Sequence, residues 1–507
     1  MKKLVAITLA LLLSLSLTAA IGEDTLNSVF PLEEQYTVSC FAFSNIGYDL
    51  ADTLFMKTME EKTNVHWELH TFNTSDMTEK MNLSLNTGAY YDVYMKTGLS
   101  MADATKYGQQ GVFIPLNELI NEYMPNLKAL LDGRDGWGAI TSGDGNIYAL
   151  PQIQKQGMAA PSIFINKAWL DRVGMDEPET ADEFMDVLRA FKENDANGNG
   201  DPDDEYPIYC PSGAVEYTFV LFGIAMDYNT YSMYDGEDVT YVPTSEQYKD
   251  FLAFWAEAYK EGLINDDCFS ATWDDINAIG AVYDTLGTIP TWGVYQHVGA
   301  ERSYEYVDML PFDGAYSIPT SNGIGYGALA ITDKCENPEL VCMWADYLYG
   351  KEGGALAHYG VEGETYTKNE EGVITFLTDN GYGSDADEIC NKQTLAGWYN
   401  APYSAMHGLT KGNPEELFLG KQRDHLLTRA AKPFPALSWT SEELEEKATL
   451  QTAINTYYYE YMAEVITGRK DLDETWDQYI ATLKDMGLER LNEIDRNAYA
   501  RWYEENN

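Results

Sequence analysis

The run YTVSCFAF at residues 36–43 begins the part of the chain that decides its fold. Two further runs, VHWELHTF at 65–72 and YDVYM at 91–95, have the composition of strands, and the stretches between them, 49–61 and 76–85, have helical periodicity. Because consecutive parallel strands need a crossover connection, this β-α-β-α-β order predicts an α/β fold with a parallel sheet and helices on both of its faces.

Ligands of such sheets bind beside the carboxyl ends of the strands, so the residues that follow each strand are candidates for binding. Asn45 and Tyr48 follow the first strand. Gln152 comes directly after NIYALP at 146–151, where the chain is expected to pass into a second domain. We therefore predict that Asn45, Tyr48 and Gln152 contact the ligand.

The chain has 507 residues, which is more than one hydrophobic core usually supports, so at least two domains are expected. Apolar residues make up 45% of the chain and aromatic residues 13%, as in folded proteins. The 81 acidic residues outnumber the 33 basic residues and give a formal net charge of −48. Phosphate groups repel such a polyanion, which excludes general nucleic-acid binding and argues against docking on anionic lipid.

The N-terminus has the pattern of a signal peptide at residues 1–22. Lys2 and Lys3 precede an apolar run from Leu4 to Leu17, and small residues follow it. A retained membrane anchor is the alternative, but the run is short for a membrane span. The sequence therefore predicts an exported protein whose mature chain has no membrane span. No cysteine near the cleavage site could serve as a lipobox cysteine.

The six cysteines form no C-x-x-C motif, so neither a redox motif nor a zinc site is indicated. Cys335 and Cys342 lie seven residues apart around a predicted helix start at Pro338. They are the pair for which a disulfide has to be tested.

The segment DANGNGDPDDE at residues 195–205 matches a calcium-binding loop of the EF-hand type. Oxygen-bearing side chains occupy loop positions 1, 3, 5 and 9: Asp195, Asn197, Asn199 and Asp203. Gly200 permits the turn at position 6, and Asp201 can offer its carbonyl at position 7. Tyr206 replaces the usual glutamate at position 12, so Asp204 or Glu205 would have to close the shell. The alternative is a plain acidic turn.

An aromatic stripe follows on the predicted helix that the segment TSEQ at 244–247 begins. Its members share one helix face: Tyr248, Phe251, Leu252, Trp255 and Tyr259. Such a stripe is typical of a helix that packs on a core, so we assign it to the core rather than to a ligand site.

Taken together, the β-α-β-α-β start, the loop at 195–205, YKDFLAFWAEAYKEGLIND at 248–266 and HYGVEGETY at 358–366 resemble one family. The chain is similar to the family 1 extracellular solute-binding proteins of ABC importers. Within that family it is most similar to the long oligosaccharide-binding branch with LplA-like and alginate-binding members. The resemblance implies a structural Ca²⁺ whose ligands are Asp195, Asn197, Asn199, Asp201, Asp203 and Asp204.

The resemblance also implies a periplasmic-binding-protein-like fold of two α/β lobes, each with a mainly parallel sheet, that close on the ligand about a hinge. Residues 23–150 and 315–385 would form the N-terminal lobe. Residues 151–314 and 386–507 would form the C-terminal lobe. Gram-positive members usually carry a lipobox cysteine, which this chain lacks.

A sugar site needs flat aromatic rings for stacking and polar side chains for the hydroxyl groups. Trp273, Trp292, Trp398 and Tyr399 stand in loop contexts rather than on periodic helices, and we predict them as stacking residues. The resemblance implies the same role for the tryptophans at 273 and 398. For each of them the alternative is a buried ring that packs a loop on its lobe.

The predicted cargo is a neutral oligosaccharide, because the negative charge disfavours acidic glycans. The predicted partner is the permease of an ABC transporter, and the protein itself is expected to be a monomer without enzymatic activity. A secreted glycoside hydrolase would share the export signal, acidity and aromatic content, and a peptide-binding receptor would share the fold. Degradation of a glycan would favour the hydrolase, and stabilisation by peptides alone would favour the receptor.

Overall fold

A computed structural model describes most of the chain and none of its first 25 residues, so the predicted signal peptide lies outside the described residues. The described residues are 26–44, 49–133, 136–155, 157–158, 161–201, 203–227, 231–234, 239–282, 284–378, 380–384, 386–396, 399–435, 437 and 439–506. Within these ranges no helix is long and apolar enough to span a membrane.

Short strands are spread over the whole described chain. In chain order they are β1 (Tyr36–Phe43), β2 (Val65–Phe72), β3 (Val93–Met95), β4 (Leu150–Ile153), β5 (Gly157–Met158), β6 (Ser162–Asn166), β7 (Met226–Asp227), β8 (Ser232–Tyr234), β9 (Val239–Tyr241), β10 (Thr288–Thr291), β11 (Tyr306–Asp308), β12 (Thr320–Ser321), β13 (Ile324–Ile331), β14 (Tyr366–Lys368), β15 (Val373–Phe376) and β16 (Thr410–Lys411).

Helices connect the strands and make up most of the C-terminal part. In chain order they are α1 (Leu54–Thr63), α2 (Thr74–Thr87), α3 (Met101–Gln109), α4 (Asn117–Tyr123), α5 (Pro125–Asp132), α6 (Lys167–Val173), α7 (Ala181–Glu193), α8 (Glu246–Lys260), α9 (Trp273–Val282), α10 (Tyr295–Ser303), α11 (Pro338–Tyr349), α12 (Lys351–Tyr359), α13 (Ala386–Gln393), α14 (Pro414–Leu426), α15 (Ser441–Ile466), α16 (Leu472–Asp485) and α17 (Leu488–Asn506).

The chain divides into two compact units, each built from two segments. The first unit comprises the chain up to Gln154 and Ile324–Thr410, and the second comprises Lys155–Gly323 and the chain from Lys411 onward. The chain therefore passes from one unit to the other at 154/155, 323/324 and 410/411. The sequence analysis placed these passages at 150/151, 314/315 and 385/386.

The first unit contains a five-stranded sheet in the order β2-β1-β3-β13-β4. β1 pairs in parallel with both β2 and β3, as the β-α-β-α-β pattern predicts. β13 runs antiparallel between β3 and β4, so the strand containing Tyr326 returns to this unit after the chain has built much of the other. The carboxyl ends of β1, β2 and β3 consequently lie at one edge of the sheet.

Aromatic side chains fill the core against one face of this sheet. Trp67 of β2 lies opposite Val38 of β1, and its ring packs 4.6 Å from that of Trp344 on α11. Trp344 is fully buried and meets Phe55 of α1 edge to face. The β-α-β unit and the late helix α11 therefore share one core.

The sheet of the second unit corrects one detail of the predicted fold. Its order is β10-β6-β11, and both outer strands run antiparallel to β6, where a mainly parallel sheet was expected. Helices, rather than further strands, provide most of the packing in this unit: the core includes Trp255 of α8, Tyr461 of α15 and Tyr479 of α16. The sheet is correspondingly small.

The aromatic stripe on α8 belongs to the core, as predicted. Tyr248, Phe251, Leu252 and Trp255 are all fully buried. The indole Nε1 of Trp255 donates to the hydroxyl of Thr218 at 3.1 Å, so its polar atom is satisfied inside the core.

All six cysteines are buried free thiols, so Cys335 and Cys342 do not form a disulfide. Cys342 lies on the buried part of α11. Cys335 precedes the helix and adjoins the phenol of Tyr36. Both thiols belong to the core of the first unit.

Asp346 on α11 provides a test of how the first unit is held together. Its carboxylate accepts hydrogen bonds from the backbone N–H groups of Asn126 and Leu127 at the start of α5, at 3.3 and 3.0 Å. Asp346→Ala should lower the free energy of unfolding by about 1–3 kcal/mol, because it leaves two buried N–H groups without acceptors. Asp346→Asn keeps one acceptor and should cost less. Urea unfolding measures both.

The exposed Glu336→Ala variant is the control, and an Asp346→Ala protein as stable as wild type would contradict the role of Asp346 as the acceptor of these two N–H groups.

Burial raises the pKa of Asp346 from 3.8 to about 7. The folded state therefore binds a proton more tightly than the unfolded state, and this residue's contribution to stability should fall as pH rises from about 4 to 7. Asp346→Asn should remove that part of the pH dependence.

Candidate functional site

Two groups of side chains have the features of a binding site, and one lies in each unit. The group in the first unit surrounds the carboxyl ends of β1 and β3. Tyr399 packs there with its ring 4.9 Å from that of Phe43, edge to face. The ring also covers Gly98, because a Cβ added at Gly98 would lie 2.8 Å from it. Tyr399 is half-buried and lies at the edge of the sheet where ligands of α/β folds bind.

The backbone around Tyr399 is held in an uncommon conformation. Tyr399 has φ of 63° and Lys96, directly after β3, has φ of 56°, both in the left-handed region that non-glycine residues rarely adopt. Such residues cluster at ligand clamps and active sites, where the surrounding contacts hold the strained backbone in place. The strand end and the Tyr399 loop therefore have the local geometry of a functional site.

Lys96 connects the segment before Tyr399 to the end of β3. Its buried ammonium group donates to the carbonyls of Leu395 and Ala396 at 2.7 and 3.0 Å. Burial lowers the pKa of Lys96 to about 7, because the charged ammonium group loses its hydration. The sequence analysis did not predict Lys96 as a site residue, since its partners lie about three hundred residues further along the chain.

The remaining candidates of the first unit contribute less to this group. Gln152 is buried on β4, where it accepts a hydrogen bond from Gln154 at 2.9 Å and donates to the phenol of Tyr403. Its amide is therefore used within the unit. Asn45, Tyr48 and Trp398 lie outside the described residues.

The group in the second unit is an aromatic cluster around Trp273, the first residue of α9. The indole of Trp273 stacks between the rings of Tyr217 and His297, at centroid distances of 6.2 and 5.6 Å. Trp273 is half-buried. The structure thus brings Trp273 into a packed stack and leaves part of its ring accessible.

His297 anchors that stack through two hydrogen bonds. Its Nδ1 lies 2.6 Å from the Asn277 amide oxygen and its Nε2 lies 2.7 Å from the Thr291 hydroxyl. Burial lowers the pKa of His297 to about 4, so the ring is neutral near pH 7. A neutral imidazole with both nitrogens engaged has a fixed position, and it fixes the indole above it.

Trp292 lies at the edge of the same cluster and is the most exposed of its rings. The side chain is 47% exposed, yet the indole is hydrogen-bonded to the hydroxyl of Tyr217. The carbonyl of Trp292 accepts a hydrogen bond from Arg423 Nη2 at 2.9 Å. A large apolar ring is therefore presented to solvent and immobilised at the same time, which suits a stacking surface.

The predicted calcium loop follows α7 and is folded into a tight turn. Gly198 and Gly200 have φ of 77° and 92°, and the backbone N–H of Gly200 donates to Asp195 Oδ2 at 2.9 Å. The Asn197 and Asn199 amides donate to the two carboxylate oxygens of Asp204 at 2.8 and 2.7 Å. The loop already has a turn with converging oxygen-bearing side chains.

Two oxygens of this loop are buried and have no hydrogen-bond partner of ordinary geometry among the described residues. They are Asp195 Oδ1 and Glu205 Oε2, and burial raises the pKa of Glu205. Within the described residues no three acidic, histidine or cysteine side chains converge as a ready-made metal site. The hard oxygen donors and the two unsatisfied carboxylate oxygens nevertheless fit a calcium ion.

Comparisons with known proteins identify a matching family and similar proteins. Residues 48–355 match the family of bacterial extracellular solute-binding proteins. Over 504 residues the chain is 28% identical to the fructooligosaccharide ABC transporter substrate-binding protein FusA of Streptococcus pneumoniae, covering 93% of this chain and 92% of that protein.

The structure of FusA in complex with kestose is similar with a TM-score of 0.77 at 25% identity, over 93% of this chain and all of that chain. A FusA EF-hand mutant in complex with fructo-nystose gives a TM-score of 0.78 at 24% identity with the same coverage. These structures confirm the predicted periplasmic-binding-protein-like α/β fold of two lobes.

Gly98 tests the geometry of the first group. Gly98→Ala adds a Cβ that would meet the Tyr399 ring at 2.8 Å and also strains a backbone with φ of 64°. Gly88→Ala strains a similar backbone, with φ of 76°, but meets nothing within 4 Å. We expect Gly88→Ala to cost about 1 kcal/mol and Gly98→Ala about 1–3 kcal/mol more. Equal losses of stability in thermal unfolding would show that Tyr399 does not rest on Gly98.

Proposed function

The chain belongs to the bacterial extracellular solute-binding proteins, and we propose that it captures a neutral oligosaccharide outside the cytoplasm and delivers it to the permease of an ABC transporter. The immobilised and half-exposed Trp292, beside the stacked Trp273, is the observation that carries this proposal. The apolar face of a sugar ring packs on such an indole, while the hydroxyl groups at the ring edge bind polar neighbours.

The class of cargo is supported by similarity along most of the chain. FusA, whose name specifies a fructooligosaccharide, matches 93% of this chain. The formal net charge of −48 argues against polyanionic glycans, because the surrounding field would repel them. A short neutral oligosaccharide therefore suits the protein best.

The proposal includes the remaining features that the sequence predicts. Residues 1–22 act as a signal peptide, and the exported protein works as a monomer and does not cleave its ligand. Capture takes place by closure about a hinge, for which the chain offers three passages from one unit to the other. A few residues at such passages are enough to absorb a domain rotation.

Removal of the proposed stacking surface on Trp292 should weaken sugar binding. Titration calorimetry with kestose should give a saturable signal with the wild-type protein and a weaker one, by roughly 10-fold or more, with Trp292→Ala, because the stacking surface is lost. Trp273→Ala should also weaken binding. Tyr304→Ala is the matched control, since Tyr304 is an aromatic side chain of the same unit with the same 47% exposure.

The same titration is run with maltotriose, a galacturonate oligomer and a short peptide, and each mixture is analysed for degradation. Intact binding of a neutral sugar supports the proposal. Consumption of the sugar would instead indicate a hydrolase, and binding of the peptide alone would indicate a peptide receptor. Equal losses in Trp292→Ala and Tyr304→Ala would remove the special role of Trp292.

We also propose a structural Ca²⁺ in the loop after α7. Asp195, Asn197, Asn199, Asp203 and Asp204 would provide side-chain oxygens and Asp201 its carbonyl, and Glu205 is an additional donor. Calcium would neutralise the carboxylates of the loop and tie the end of α7 to the segment that follows. The EF-hand named in the FusA mutant structure is consistent with such a loop.

Removal of calcium tests this assignment. The melting temperature should be higher in CaCl₂ than in EDTA, because an ion that binds only the folded state adds about 2.7 kcal/mol at one hundred times its dissociation constant. Asp195→Asn should abolish the difference, and Asp176→Asn, an exposed substitution in the same unit, should preserve it. Identical melting temperatures of the wild type in CaCl₂ and EDTA would contradict a calcium site.

A further inference from the structure

Arg423 on α14 contacts the backbone of Trp292, the most exposed aromatic residue of the cluster in the second unit. Three other arginines each form an ion pair with a glutamate: Arg189, Arg490 and Arg501. Arg423 forms no ion pair with any described carboxylate, although the chain carries 81 acidic residues. The one hydrogen bond found for its guanidinium among the described residues goes to the carbonyl of Trp292. The other four of its five N–H donors have no hydrogen bond to a described residue.

That hydrogen bond places the guanidinium at the backbone carbonyl of Trp292, the residue that carries the exposed indole. Arg423 is itself only partly buried, so its open donors can reach a molecule that rests on Trp292. A planar guanidinium presents paired N–H groups, and two neighbouring hydroxyl oxygens of a sugar ring can accept from such a pair. Lysine would offer a point charge without this geometry.

A second observation concerns Asp308, a buried acid on which the charge of Arg423 acts. Asp308, at the end of β11, is 2% exposed, and neither of its carboxylate oxygens has a hydrogen bond of ordinary geometry from a described residue. Its neighbour Ser162 is the side chain whose hydroxyl interacts with this carboxyl group. Burial raises the pKa of Asp308 to about 7, while Ser162 and Arg423 act in the opposite direction. Unsatisfied buried polar groups are rare and commonly mark functional sites.

We propose that Arg423 is a specificity-determining residue that donates hydrogen bonds to adjacent hydroxyl groups of the sugar ring stacked on Trp292. The inference rests on the proposed oligosaccharide function and assigns the polar half of that subsite. Trp292 provides the apolar surface, and Arg423 donates hydrogen bonds to the hydroxyl groups at the edge of the sugar ring. The chemical class of ligand is a sugar with two vicinal hydroxyl groups at the bound residue.

The test uses the mature protein, kestose as the probe and titration calorimetry. Arg423→Gln keeps a polar side chain but loses the charge and the paired donors of the guanidinium. Its dissociation constant should rise roughly 10- to 100-fold, as for the loss of hydrogen bonds to a charged group. Lys421→Gln, an exposed substitution two residues away on the same helix, should bind like the wild type. The melting temperature of each protein without sugar is measured in parallel.

The outcomes separate this inference from the function on which it rests. Weaker binding in Arg423→Gln at an unchanged melting temperature supports it. If Trp292→Ala loses affinity and Arg423→Gln binds like the wild type, only the role of Arg423 is overturned. A loss of affinity with a matching drop in melting temperature would assign Arg423 a purely structural role and also overturn it. If the wild type binds neither kestose nor any other sugar of the panel, the function and the inference both fall.

Discussion

The structure of the first unit depends on a strand that the chain supplies late. β13 enters between β3 and β4 only after residues 155–323 have been placed in the other unit. Until β13 is present, β3 and β4 have no partner on the sides that face each other. The backbone of β13 passes so close to Leu99 that a Cβ on Gly327 would lie 2.0 Å from the carbonyl oxygen of Leu99. Only glycine fits there, so folding of the first unit is coupled to the return of the chain.

The two groups of candidate residues show the same physical organisation in different units. In each group, hydrogen bonds as well as apolar packing hold the aromatic rings in place. Lys96 holds the backbone before Tyr399, and His297 holds the indole of Trp273. Such contacts cost desolvation and are costly to leave unmade, but they fix a ring while leaving part of it accessible. A binding site that is already ordered before the sugar arrives needs rings that are both fixed and accessible, because ordering them on binding would reduce the affinity.

Much of the fold could be predicted from sequence because local patterns determine it. Strands at Tyr36–Phe43 and Val65–Phe72 have the bounds that their composition predicts. The first predicted helix is instead a 3₁₀ turn followed by α1, because Thr53 caps α1 through its hydroxyl. The antiparallel sheet of the second unit escaped prediction, since strands of three to five residues carry little periodic signal. The roles of Lys96 and Arg423 could not be predicted at all, because partners distant in the chain define them.

The proposed sugar-binding surface consists of the indole of Trp292, fixed within the second unit, and the guanidinium of Arg423 at its backbone carbonyl. A crystal structure of the mature protein grown with kestose tests that claim most directly. We expect a sugar ring stacked on Trp292 with two of its hydroxyl groups within hydrogen-bond distance of Arg423. Kestose bound elsewhere, with the indole of Trp292 still exposed to solvent and Arg423 without a ligand contact, would contradict it.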